Sequence, residues 1–254
     1  MEPPLAKSAP THGRKLADGS TIELRTRIYR SDGCEVRREM GSETFNCQYQ
    51  QNPIVPDGSP LRWEWFRAYE VGADRNWYQA VIQSWDTGMS ADPRADFSVC
   101  TTWGFRENNW YLLDVWRGQL DYPDLKSRTL ALVEQWDPDR VLIEDAATGR
   151  SLFDELFRDD WRRYERIRPE NDKETRFRSS LAPVEEGKVF LPKEAPWLPV
   201  FKRELQSFPR GRNDDQVDSF SQLVNWSKGN GIYRALGREH PINIERRERQ
   251  RRRR

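Results

Sequence analysis

The chain has few of the side chains that bind soft metals. It contains three cysteines, Cys34, Cys47 and Cys100, and two histidines, His12 and His240, and no CxxC pair occurs among its 254 residues. Structural zinc sites take four ligands from closely spaced cysteines and histidines. The composition therefore argues against a zinc centre, and the odd number of widely spaced cysteines indicates reduced thiols in an intracellular protein.

Two further absences limit the function. No GxxxxGK[ST] motif is present, so the chain lacks the loop that cradles nucleotide phosphates in ATP-driven motors. No apolar run reaches 18 residues, and no early segment has the pattern of a signal peptide. We therefore expect a soluble protein with no membrane partner.

Charge is nearly balanced but unevenly placed. The formal net charge is +1, yet residues 245–254 contain seven arginines and two glutamates, so the remainder is slightly acidic. A slightly acidic globular part with a basic tail does not indicate a broad DNA-binding surface. We expect residues 230–254 to form a basic, disordered tail, which could bind phosphates without specificity.

The hydrophobic pattern predicts an α/β domain. Apolar and β-branched runs predict three strands in an antiparallel meander, followed by alternating helices and strands, which implies a mixed sheet flanked by helices. Pro53, Pro56, Gly58 and Pro60 indicate a linker before this domain. The predicted strands are 80–86, 97–105, 110–116, 140–143 and 163–167; the predicted helices are 121–136, one beginning at 148, 172–182, 197–207 and one following residue 213; residues 187–192 are predicted as a hairpin-like piece.

Carboxylates stand at the ends of these predicted elements. Asp86 ends the first strand, Glu144 ends another, and Asp214, Asp215 and Asp218 begin the last helix. If the two strands are neighbours, their ends and the helix bring the acids together, and a divalent cation would relieve the resulting repulsion. Two such ions about 3.5–4 Å apart can activate water and stabilise the leaving oxygen of a phosphodiester.

Each acid also has a structural interpretation. Asp86 could cap a turn, Asp214 could be an N-cap, Asp218 could be a solvated residue of the first helical turn, and Glu144 could pair with a nearby arginine. We interpret Asp145 and Asp96 as structural residues. The joint occurrence of acids at two strand ends and a helix start favours the metal site over these separate explanations.

At these residues the sequence resembles the nuclease domain of the large terminase subunit of tailed phages and prophages. The resemblance runs from about Phe45 to Lys228, and the two most specific motifs are the QYQQNP and DDQVD stretches. The matching pieces are FNCQYQQNP (45–53), WF (65–66), WDTG (85–88), ADFSV (95–99), IED (143–145), GKVFLP (187–192) and NDDQVDS (213–219).

The resemblance implies a ribonuclease-H-like fold and metal-dependent cleavage of double-stranded viral DNA during genome packaging. It implies Asp86, Glu144 and either Asp214 or Asp215 as the catalytic acids that bind metal, and of the last two we choose Asp215. We expect Asp86, Glu144, Asp214, Asp215 and Asp218 to be ligands of Mg²⁺ or Mn²⁺, with two ions. Residues 61–229 would form the nuclease domain, and residues 1–60 a remnant of the preceding ATPase domain with its linker.

The same resemblance suggests partners and a location. Double-stranded DNA would be the substrate, and the portal, the small terminase subunit and a separate ATPase motor chain are candidate partners in the host cytoplasm. We predict DNA-binding roles for Lys173, Arg176, Arg178 and Lys188, the last because a Gly-Lys hairpin could place it over the acids. The alternative for the first three is a solvated helix face.

Two other functions remain open from the sequence. One is a resolvase- or transposase-like nuclease that acts on branched DNA with the same fold. The other is a non-catalytic packaging remnant that docks on a partner or on DNA without cutting it.

Overall fold

A single seven-stranded mixed sheet organises the protein. The computed structural model describes residues 13–15, 21–23, 59–70, 72, 74–88, 96–228, 232 and 236. The strands are β1 (Gly13–Lys15), β2 (Thr21–Glu23), β3 (Arg67–Tyr69), β4 (Ala80–Asp86), β5 (Ser98–Arg106), β6 (Asn109–Gly118), β7 (Arg140–Glu144), β8 (Tyr164–Ile167) and β9 (Val189–Pro192). The large sheet has the order β3-β9-β6-β5-β4-β7-β8, and β1 and β2 pair with each other as a separate antiparallel ribbon.

The meander β4–β5–β6 forms the centre of the sheet, as the sequence predicts. β5 pairs antiparallel with both β4 and β6, whereas β7, β8, β9 and β3 join by parallel pairing. β5 and β6 are joined by a tight turn at Glu107 and Asn108, which both have positive φ. The turn has two residues because Asn109 already pairs with Arg106, and a two-residue hairpin turn of positive φ fits the strand twist.

Helices cover both faces of this sheet. They are α1 (Tyr122–Trp136), α2 (Ala147–Asp159), α3 (Lys173–Glu185), α4 (Leu198–Ser207) and α5 (Asp215–Lys228). Buried side chains of α1 and α2 pack with Trp85 and Ile143 on one face, and those of α3, α4 and α5 pack with Ile82 and Trp103 on the other. Among the described residues, no helix is both long and apolar enough to cross a membrane.

Residues 187–192 differ from the prediction. They contain one strand, β9, which lies between β3 and β6 and runs parallel to both. The prediction of a hairpin-like piece is therefore wrong. The GKVFLP stretch contains only four strand residues after Gly187, and their hydrogen-bonding partners come from distant parts of the chain. Local sequence could not reveal that pairing.

The core extends past the predicted end of the domain. Ile232 is only 4% exposed and belongs to the cluster formed with α3, α4 and α5, and Leu236 packs against the same cluster. Part of the predicted tail therefore contributes to the fold. The predicted segment 1–60 and the rest of the tail lie largely outside the described residues.

We predict that Ile232→Ala lowers the free energy of unfolding by about 2–5 kcal/mol, because it removes a buried branched side chain and leaves a cavity. Truncation after Lys228 should lower the melting temperature for the same reason. Denaturant titration of both proteins measures the effect.

The matched control is Leu130→Ala. Leu130 is an exposed leucine of α1, so its removal should change stability by no more than about 0.5 kcal/mol. Equal effects of the two alanine substitutions would show that Ile232 is not part of the core.

Candidate active site

Asp86 and Glu144 end neighbouring parallel strands in the same row of the sheet. Trp85 of β4 pairs with Ile143 of β7 in register, so the next residues, Asp86 and Glu144, lie side by side. Neighbouring strands are about 4.8 Å apart. The two carboxyl groups are close enough to share a hydrogen bond, which Asp86 donates when it is protonated.

Alternation along β4 determines which layer Asp86 faces. Ala80 and Ile82 pack in the core on the side of α3, α4 and α5, whereas Trp85 packs on the side of α1 and α2. Successive side chains of a strand point to opposite faces. Asp86 therefore shares the face of Ile82 and Ser84, which is the face covered by α5.

Buried polar contacts hold α5 across the end of β4. The hydroxyl of Ser84 donates to the carbonyl of Ser219 at 2.8 Å, and the hydroxyl of Ser219 donates to the carbonyl of Ser84 at 2.8 Å. Gln222 of α5 adds hydrogen bonds to the Ser84 hydroxyl and the Trp85 carbonyl, at 3.0 and 3.2 Å. This docking fixes the first turn of α5 beside the strand ends.

The first turn of α5 brings two further acids to the same place. Asp215 and Asp218 are three residues apart, so they lie on one side of the helix, and both are buried. Asp214 precedes them, and its carbonyl accepts a hydrogen bond from the Asp218 backbone N–H at 2.9 Å. Asp214 therefore lies immediately before α5, and an N-cap role for its side chain stays a prediction.

Crowding of carboxylates changes their acidity. Burial raises the pKa of Asp86 well above its ordinary value, and the charges of Glu144, Asp218 and Asp215 raise it further. Burial raises the pKa of Asp215 to about 6, with contributions from Glu204, Asp96 and Asp214. Desolvation and like charges both disfavour the ionised form. Positive charge next to the cluster would therefore stabilise the ionised carboxylates.

Two cations of α3 supply part of that compensation. Nζ of Lys173 lies 2.8 Å from Oδ2 of both Asp214 and Asp218. Nη2 of Arg176 lies 2.5 Å from Oδ1 of Asp218 and 3.8 Å from Oε1 of Glu144. Burial acts to lower the pKa of Lys173, but hydrogen bonds to the two aspartates outweigh it and raise the pKa above its ordinary value.

These ion pairs bear on the predicted DNA-binding residues. Lys173 and Arg176 lie at the site, but they engage its acids in this structure. Arg178 follows Arg176 by two residues, which is about 200° around the helix, so the two side chains do not share a face. A DNA-binding role for any of the three stays a prediction.

Lys188 lies far from the acids. Val189, the next residue, pairs with Trp110, which pairs with Phe105, which pairs with Ala80. Lys188 is therefore at the Ala80 end of the sheet, whereas Asp86 is six residues along β4, or about 20 Å away. The expectation that Lys188 lies over the acids is wrong, and its side chain pairs with Glu186 instead.

A groove of about 760 Å³ opens beside the acids. Glu144, Asp218 and Arg176 line it, together with the end of β8 and the residues that follow. An extended polymer could therefore reach the carboxylates from solvent. The residues that line the groove are Glu144, 165–171, Arg176, Ser179, Asp218, Gln222, Asn225 and Trp226.

The donor set suits a hard cation. Asp86, Glu144, Asp215 and Asp218 offer only carboxylate oxygens, the ligands that Mg²⁺ and Mn²⁺ prefer. Within the described part of the chain, no three acids, cysteines or histidines already have the geometry of a metal-holding group. Lys173 and Arg176 occupy carboxylate oxygens that metal ligation would use, so ion binding requires these side chains to move.

Sequence reasoning missed Glu204. This buried residue of α4 accepts hydrogen bonds from the backbone N–H and the side-chain Nε2 of Gln216, at 2.6 and 2.5 Å. It thereby holds the first turn of α5, and Nη2 of Arg117 lies 3.8 Å from its Oε2. A lone glutamate in an amphipathic helix carries no local signal of this role, because its partners come from another helix.

Comparison with known proteins identifies a shared fold. A family model described as the terminase RNaseH-like domain matches residues 83–226, more than half of the chain. No curated protein gives a significant sequence match.

Two solved structures are similar over most of the chain. The large terminase of a thermophilic bacteriophage, in complex with ADP, has a TM-score of 0.59 and 13% identity, and the match covers 78% of this chain and 52% of that one. The large terminase nuclease of thermophilic phage G20c with bound cobalt has a TM-score of 0.51 and 16% identity, covering 67% of this chain and 98% of that one. The chain therefore spans about half the length of the ADP-bound terminase and nearly the whole of the G20c nuclease fold.

We predict that Asp86→Asn stabilises the metal-free protein increasingly as the pH rises above about 4. The native pKa of Asp86 is raised above its unfolded value, so the native state keeps a proton that the unfolded state releases, and stability is lost as the pH rises toward the native pKa. Asparagine removes that loss. Melting temperatures of variant and wild type in EDTA, compared from pH 4 to neutral pH, measure the difference.

The control is Asp124→Asn, an exposed acid in the first turn of α1. The difference in melting temperature between this variant and wild type should stay small and should not rise with pH. If Asp86→Asn behaved like this control, Asp86 would not be crowded by other acids.

We predict that Glu204→Ala lowers the free energy of unfolding by about 2–4 kcal/mol, because it leaves the Gln216 donors without their buried acceptor and removes the carboxylate that pairs with Arg117. Glu204→Gln should cost less, since its amide oxygen can still accept from the Gln216 backbone N–H. Glu134→Ala, in the exposed part of α1, is the control and should be nearly neutral. An equal loss of unfolding free energy in Glu204→Ala and Glu134→Ala would show that Glu204 does not hold α5 in place.

Proposed function

Since the chain belongs to the terminase RNaseH-like domain family, we propose that it is a metal-dependent endonuclease that cuts double-stranded viral DNA during genome packaging. The observation that carries the proposal is the meeting of Asp86 and Glu144, in one row of the sheet, with Asp215 and Asp218 of α5. This arrangement explains why a fold would tolerate several acids in a desolvated place: they serve cations that bind there.

We propose Mg²⁺ or Mn²⁺ as the cofactor, with two ions held by Asp86, Glu144, Asp215 and Asp218, and Asp214 at the rim. The cobalt bound to the G20c nuclease, which shares the fold, supports a divalent ion. When bound, such ions neutralise the acids, activate water and stabilise charge on the leaving oxygen.

The residues of the chain have separate roles in this proposal. Asp86, Glu144 and Asp215 are the catalytic acids, and their rigid strand and helix positions set the geometry. Ser84, Ser219 and Glu204 keep α5 in place. Lys173 and Arg176 neutralise the acids before ions bind and become available for substrate phosphates when they are displaced.

The wider setting is proposed on the same basis. Residues 61–229, extended to Ile232, would be the nuclease domain, followed by a basic tail. The DNA, the portal, the small terminase subunit and an ATPase motor on a separate chain are the proposed partners, in the cytoplasm of the host cell.

The test is cleavage of supercoiled plasmid in Mn²⁺, Mg²⁺ or EDTA. We expect nicking and linearisation that require the metal, and a loss of at least about 100-fold in rate for Asp86→Asn, because the cation would lose a central ligand. Asp124→Asn should cut at the wild-type rate.

Three outcomes would change the proposal. Cleavage in EDTA would exclude metal dependence, and unchanged cleavage by Asp86→Asn would remove this site. A marked preference for four-way junctions over linear duplex would favour the resolvase-like alternative.

A further inference from the structure

Next to Glu144, a cluster of arginines surrounds a single aspartate. Asp145 accepts hydrogen bonds from Nε of Arg150, through Oδ1, and from Nε of Arg168, through Oδ2, each at 3.0 Å. Nη1 of Arg166 lies 3.9 Å from Oδ1 of Asp145 and 3.8 Å from Oδ1 of Asp154. Three guanidinium groups from β8, the loop after it and α2 therefore converge on one carboxylate.

The strand register places this cluster directly beside the acids. Glu144 of β7 pairs with Ile167 of β8, so Arg166 and Arg168 flank the partner of Glu144. The backbone N–H of Asp145 donates to the carbonyl of Ile167 at 2.7 Å, which ties the ends of the two strands together. Glu144 faces the α5 side, and the next residue, Asp145, holds the arginines on the α2 side.

Both groups border a single groove. Arg166 and Arg168 line it together with Glu144 and Asp218. If cations neutralise the latter two, three arginines (Arg166, Arg168 and Arg176) face the two remaining acids, Glu165 and Glu170. The lining then carries one more arginine than acid, and Asp145, which is outside the lining, offsets part of the charge of Arg166 and Arg168.

Exposure separates the members of the cluster. The side chain of Asp145 is only 10% exposed, whereas those of Arg168 and Arg150 are 77% and 60% exposed. Arg166 is more enclosed and lies over the Phe153 ring, with Cζ 5.1 Å from its centroid. The hydrogen bonds to Asp145 use Nε of Arg150 and Nε of Arg168. They do not involve the Nη groups of either arginine.

We propose that Arg150 and Arg168, oriented by Asp145 and supported by Arg166, bind DNA backbone phosphates beside the scissile position. Guanidinium groups are well suited to phosphate, because their fixed planar donors match its oxygens. The adjacent residues Glu144 and Asp145 thus divide two tasks, since one serves the cations and the other orders the phosphate-binding arginines. This inference rests on the proposed nuclease function and names the substrate contacts of its site.

Binding in the absence of cleavage tests the proposal. A fluorescein-labelled DNA duplex is titrated with the full chain carrying Asp86→Asn, and anisotropy is followed between about 50 and 200 mM salt. Adding Arg168→Gln or Arg150→Gln should weaken binding about threefold each at the upper salt concentration. Each should also reduce the slope of log affinity against log salt by about 0.9, the value for one phosphate contact.

The matched control is Arg158→Gln. Arg158 is an exposed arginine of the same helix as Arg150, eight residues further on, or about 12 Å along the axis. The Arg158→Gln substitution removes the same charge and should leave the slope of log affinity against log salt unchanged. Melting temperatures are measured for every variant, so that only folded proteins are compared.

The outcomes are decisive for this cluster. Slopes of Arg150→Gln and Arg168→Gln equal to that of Arg158→Gln would overturn the proposal and leave the arginines as a structural network around Asp145. A reduced slope supports it even if wild type fails to cut plasmid, because binding and cleavage are measured separately. Failure of the nuclease proposal is therefore distinguishable from failure of this one.

Discussion

The docking of α5 across the end of β4 is the contact on which the site depends. Reciprocal hydrogen bonds between Ser84 and Ser219 join strand and helix through buried backbone carbonyls, and small side chains at this crossing let the two elements approach closely. Ser84 is two residues before Asp86, and Ser219 is one residue after Asp218. Any shift of the helix along the strand would separate the acids of the helix from those of the sheet.

The arrangement is electrostatically costly, and the protein offsets that cost locally. Desolvation and mutual repulsion raise the pKa of Asp86 and Asp215, while Lys173 and Arg176 bring positive charge to Asp214, Asp218 and Glu144. Glu204 holds α5 from the opposite side through Gln216. Such a cluster adds little to stability by itself, which supports the proposal that it serves to bind metal ions.

Much of the fold could be predicted from local pattern. The strand 80–86 has the predicted ends, and α1 ends at Trp136 as predicted. The family comparison confirms the ribonuclease-H-like class that the WDTG, IED and NDDQVDS motifs implied. These features depend on residues close together in the chain. The pairing of β9 with β3 and β6, and the burial of Ile232, depend on contacts with distant residues and were not predictable in this way.

The sequence by itself determined which residues could be ligands, because the carboxylates mark the ends of strands and the start of a helix. It did not determine where the lysine and arginine side chains would lie relative to these acids. Lys188 looked close to the acids because it follows a glycine, yet parallel pairing puts β9 with its start at the other end of the sheet. Asp145 looked like a turn residue, and only the register of β7 with β8 shows that it gathers arginines. Tertiary structure decided these points because strand order and register are set by the whole core, whereas the ends of elements are set by their own residues.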